Sequence, residues 1–170
     1  VDHLNRAVRL EPDDPGLWQL LGDSYRQRAL QAVPEEREQH WNDGLTAYRR
    51  ALQLRPEAAG LYNNVGVILQ ELGRPREAMA HHLRAATLEP GDARTQINIG
   101  AAHWMLGSAH EAIAAFEVAV EIDSANGMAW HNLATLYSRA GMTEKANAAL
   151  QRASVPTRAP AGGGGEREVD

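Results

Sequence analysis

Asn64, Asn98 and Asn132 recur at intervals of 34 residues. A side-chain amide carries two donors and an acceptor, so one amide per interval can pair with the N–H and C=O groups of an extended peptide. The other reactive side chains are not spaced for catalysis. Among seven histidines, His81 and His82 are adjacent and project to different sides of a helix, unlike the i, i+4 pairs that bind metals. The absence of cysteine removes disulfides, zinc–thiolate sites and thiol nucleophiles. The four glycines at 162–165 follow no strand and open no helix, so they lack the context of a phosphate loop. No catalytic residue, metal ligand or cofactor is expected, and the chain does not read as an enzyme.

The elements that position the asparagines follow the same period. Gly66, Gly100 and Ala134 are 34 residues apart, as are Gly73, Gly107 and Gly141, and Ala78, Ala112 and Ala146. Pro90 follows Pro56 by the same step. A fixed period of this size marks a solenoid of stacked helix pairs. Each unit predicts two amphipathic helices of about a dozen residues, a glycine between them and often a proline after the second. The expected units are 15–58, 59–92, 93–126 and 127–156. Residues 1–14 precede them as the second helix of a truncated repeat, and 157–170 follow as a disordered glycine-rich tail. The first full unit is ten residues too long, since Gly22 to Gly66 spans 44. The excess falls around residues 26–41. Pro34 followed by Glu35, Glu36 and Glu38 suits a helix start. Both helices of this unit are therefore expected to be longer and to protrude, with Trp41 packed between them or offered to a partner.

These residues carry a resemblance. Trp18, Leu21, Gly22 and Tyr25 fit the W-x2-L-G-x2-Y pattern of tetratricopeptide (TPR) repeats, and Trp130, Leu133, Ala134 and Tyr137 fit it with alanine for glycine. Ala78, His82, Ala85 and Pro90, then Ala112, Phe116, Ala119 and Ser124, are similar to the second-helix signature. The resemblance covers residues 1 to about 155. It implies an all-α, right-handed solenoid of antiparallel helix pairs that serves as a protein-interaction scaffold.

In that family the first helix of each pair lines the concave surface. By resemblance the surface holds Asn63, Asn64, Val67 and Gln70, then Arg94, Ile97, Asn98, Ala101, Trp104 and Met105. His131, Asn132, Thr135 and Arg139 complete it. Helices pack ~8–10 Å apart and an extended peptide rises ~3.3 Å per residue, so one asparagine would meet about every third ligand residue. A similar asparagine ladder marks the TPR arrays of protein O-linked N-acetylglucosamine transferases and their bacterial relatives, although Leu20 interrupts it here. The expected peptide contacts are Asn64, Asn98, Asn132, Asn63, Arg94, Trp104, Met105, His131 and Arg139. The carboxylate clamp of co-chaperones fits poorly, because only Asn64 and Arg94 suit its anionic ligand. The chain's own Glu166-Arg167-Glu168-Val169-Asp170 is similar to that ligand, and reads as an acidic end or as an occupant of its own or a neighbour's groove.

A net charge of −5 argues against nucleic acid as partner, and no apolar run approaches the ~20 residues of a membrane span. The partner expected is a protein or an extended peptide, with self-association through the truncated N-terminal edge as one alternative. Another is a substrate-selecting role in a larger enzyme such as a glycosyltransferase. Asn147 and Ser154 replace the apolar outer positions of earlier units, as a polar terminal cap would. The compartment stays open, with the cytoplasm as default.

Overall fold

Single residues set where the helices of this chain begin and end. Gly73, Gly107 and Gly141 take φ of +70°, +79° and +73°, a region that costs an L-side chain ~1 kcal/mol or more. Each lets the chain double back: the amide of Arg74 donates to Leu69 O at 2.8 Å, that of Ser108 to His103 O at 2.9 Å, and that of Met142 to Tyr137 O at 2.8 Å. These bonds close the carbonyls left open at a helix end. At the starts, the side chains of Asp14, Asp92 and Asn126 accept from backbone N–H groups. Pro15, Pro34 and Pro75 occupy first-turn positions, where a missing N–H costs nothing.

The computed structural model describes residues 1–154; the expectations for the tail, including Glu166 to Asp170, lie outside them. Among the described residues there are nine helices and no strand: α1 (Asp2–Leu10), α2 (Pro15–Gln31), α3 (Pro34–Leu54), α4 (Ala59–Glu71), α5 (Pro75–Leu88), α6 (Ala93–Met105), α7 (Ala109–Ile122), α8 (Gly127–Arg139) and α9 (Thr143–Ala153). The closest pairings are α2 with α3, α4 with α5, α6 with α7 and α8 with α9, and each pair then packs on the next. The result is an all-α solenoid. None of these helices is long and apolar enough to cross a membrane.

Three of the four pairs close by laying a ring on a glycine. A Cβ at Gly22 would lie 2.6 Å from the Tyr48 ring, and one at Gly100 would lie 2.9 Å from Phe116. Gly66 faces His82 in the same way. The fourth unit has Ala134 where the glycines stand and Leu150 where the rings stand. The tryptophans of the family pattern fasten the turns between units. Trp18 Nε1 donates to Pro12 O at 2.8 Å and Trp130 Nε1 to Ser124 O at 2.9 Å.

The surplus residues of the first full unit lengthen both of its helices. α2 has 17 residues and α3 has 21, against 13 and 14 in α4 and α5. Trp41 is buried at 3% exposure, in one cluster with Ala29 and Leu45 of the long hairpin and Ile68 and Leu69 of α4. Its indole ties the taller pair to the next unit.

Candidate functional site

The asparagine interval places Asn64, Asn98 and Asn132 at the sixth residue of α4, α6 and α8. All three are half-buried. Among the described residues, none of their side-chain amides hydrogen-bonds within the chain. In the same slot of α2 stands Leu20, 54% exposed.

Two of the expected contacts meet at a cleft between α6 and α8. It holds about 100 Å³ and is lined by Ala101, Trp104, Phe116, Asn132, Thr135 and Leu136. Trp104 is 38% exposed, and the Arg139 guanidinium lies 4.8 Å from its ring centroid. Stacking of this kind holds the guanidinium in place while its N–H edges stay open to a ligand. Met105, Arg94 and His131 are exposed, with Arg94 Nη2 3.7 Å from Asp92 Oδ2. This cleft takes in Asn132 and neither Asn64 nor Asn98. Phe116 enters the sequence reading only through the second-helix signature, and Leu136 is not singled out there. Their role as walls of the cleft arises where α6 and α8 part, and no local pattern encodes that.

Asn63 is corrected by the structure. At 2% exposure it belongs to the interior. Its Nδ2 donates to Thr95 Oγ1 and, at 3.3 Å, to Asp92 Oδ2, so its Oδ1 is left to accept from His82 Nδ1 at 3.1 Å. Ile97, the same slot in the next unit, is also buried, at 7%. In α4 and α6 the fifth residue turns toward the core, whereas in α8 it is the exposed His131.

His82 is itself fully buried. Its Nε2 stands 3.3 Å from Gln70 Oε1, and Gln70 Nε2 donates to the backbone carbonyl of Asn98 at 3.2 Å. A neutral ring donates to one of its two oxygen neighbours, a charged ring to both. The extra bond offers ~1–3 kcal/mol, less than the cost of burying the charge. Burial, followed by the neighbouring His81, accordingly holds the His82 pKa down at about 4. Burial also lowers that of His81. No group of three or more metal-ligating side chains forms among the described residues.

A second concavity, of about 330 Å³, lies where the long hairpin overhangs the next unit, lined by Pro34, Arg37, Glu38, Trp41, Glu71 and Leu72. Its charges are mixed and it holds none of the expected contacts.

A family model described as tetratricopeptide repeat matches residues 57–125, and a second of the same description matches 115–146. Together they span more than half of the chain. No curated protein matches. Among solved structures, a crystal structure of MamA superposes with a TM-score of 0.76 at 19% identity, over 88% of this chain and 82% of that one. MamA 41-end from Desulfovibrio magneticus RS-1 gives 0.76 at 18% identity, over 89% and 80%. YrrB, described as a TPR protein with an unusual peptide-binding site, gives 0.68 at 21% identity, over 88% and 72%. Identities this low speak to the fold alone.

Proposed function

Because the chain belongs to the tetratricopeptide repeat family, whose members serve as interaction scaffolds, we propose that it binds an extended peptide or protein segment along α4, α6 and α8. Asn64, Asn98 and Asn132 act as backbone clamps, and the Trp104 cleft takes a side chain. The observation that carries the reading is three amides in one register, half-buried and without a hydrogen-bond partner among the described residues. A partly desolvated amide with unused donors favours a ligand backbone that supplies complementary groups. The peptide-binding site ascribed to YrrB supports this use of the fold.

The test is capture of partners on immobilised protein, wild type beside the triple variant Asn64→Ala, Asn98→Ala, Asn132→Ala. The variant should retain its helical circular dichroism and lose peptide capture. Equal capture by the two proteins refutes the clamp. Self-association through α1, where Leu10 is 73% exposed, is the competing use of the fold. It requires a mass in light scattering that rises with concentration.

A further inference from the structure

We propose that the half of the groove formed by α6 and α8 selects an acidic peptide, seating one aliphatic side chain in the Trp104 cleft and pairing flanking carboxylates with Arg139 and Arg94. This deepens the groove reading above and rests on it.

The first argument is the placement of charge. The chain has 22 acidic against 17 basic residues, yet neither α6 nor α8 contains an Asp or Glu. Both carry Arg and His. The acids of the third unit lie on its second helix, with Glu111, Glu117 and Glu121 on α7, while α9 carries Glu144 beside Lys145 and Arg152. An acidic protein thus presents a cationic strip on one inner surface. Such segregation attracts anionic ligands and repels basic ones. The α2–α4 half differs in being mixed, with Asp23 beside Arg26 and Arg28 on α2 and Glu71 on α4, and Leu20 replaces the asparagine.

The second argument is the state of the two arginines. Arg139 is stacked on Trp104 and forms no ion pair among the described residues. Its fork is therefore positioned and unused, a form suited to a carboxylate. Arg94 has a 68% exposed side chain and only a 3.7 Å approach to Asp92, which leaves most of its donors free.

The third argument is the size of the cleft. A volume of about 100 Å³ equals about three water molecules, the bulk of a branched aliphatic side chain. Its walls are mainly hydrocarbon, with Asn132 and Thr135 as the polar members. An acidic peptide with an embedded Leu or Ile satisfies the cleft, the amide and the arginines together.

Fluorescence anisotropy with two labelled probes, Gly-Ser-Glu-Leu-Asp-Glu-Ser-Gly and its neutral form Gly-Ser-Gln-Leu-Asn-Gln-Ser-Gly, tests the assignment on the full chain. The acidic probe should bind about tenfold tighter at low salt, and the gap should narrow as salt screens it. Arg139→Gln should shrink that preference about three- to fivefold. Thr135→Phe, which fills the cleft, should weaken both probes. Equal binding of the two probes overturns the selection but leaves the groove reading standing. Binding of neither, with the triple asparagine variant indistinguishable from wild type, overturns both. Acidic-probe binding that emerges only after Glu166→Gln, Glu168→Gln and Asp170→Asn overturns the separate partner and makes the chain's own acidic end the occupant.

Discussion

The buried pair Asn63 and His82 has an apolar counterpart one unit later, Ile97 and Phe116, and this permits a double-mutant cycle with a calculable outcome. His82→Phe alone leaves Asn63 Oδ1 without a donor at 2% exposure, a loss of about 1–3 kcal/mol. Asn63→Ile alone turns the ring to the tautomer that donates to Gln70 Oε1 and leaves Nδ1 an unpaired buried acceptor, again a loss of about 1–3 kcal/mol. The double variant removes both groups and rebuilds the packing of the following unit, where a phenyl ring already lies over a glycine. Thr95 Oγ1 and Asp92 keep each other at 2.8 Å, so no further polar group is orphaned. The double variant should fall within about 1 kcal/mol of wild type, a coupling of about 2–3 kcal/mol. Urea denaturation followed by far-UV circular dichroism measures it through midpoint and slope. If the two single losses simply add in the double variant, the hydrogen-bonded pair is not the stabilising unit described here.

Two further outcomes follow from the same geometry. With the His82 pKa held at about 4 against 6.5, the unfolded chain binds a proton between those values that the folded chain does not. Stability is then complete above pH ~6.5 and falls by about 3 kcal/mol as pH approaches 4. The double variant above should lose that part of the slope in urea titrations across pH. Gly22→Ala places a Cβ 2.6 Å from the buried Tyr48 ring. The helix propensity gain of about 1 kcal/mol is smaller than an overpacking cost of about 1–3 kcal/mol, so thermal denaturation should show a lower midpoint.

The repeat period was legible because it is written in residues whose roles are steric and local. Glycine at a left-handed turn, glycine under a ring and proline in a first turn each act within one unit, so spacing alone reveals them. The ten surplus residues were readable for the same reason, since Pro34 and its following acids mark a helix start. Asn63 was misplaced because its environment is set by His82, 19 residues away in sequence, and the fifth helical position lies at the border between groove and core. The informative signal was a correlated one: Asn63 with His82 in one unit against Ile97 with Phe116 in the next. The cleft at Trp104 depends on how far α6 and α8 separate, which no single unit specifies.

The joints between units differ in how they are fastened. Between α4 and α6 the inner side is tied by Gln70 reaching the Asn98 carbonyl. Between the third and fourth units the Tyr137 hydroxyl on α8 donates to Glu117 on α7, and beside the cleft the Arg139 guanidinium of α8 stacks on Trp104 of α6. The two joints are therefore fastened on the groove side by different kinds of contact, an amide hydrogen bond in one and a stacked guanidinium beside an open cleft in the other. A ligand seated beside Trp104 would meet the second joint at that stack, so what the cleft holds bears directly on how Arg139 is placed.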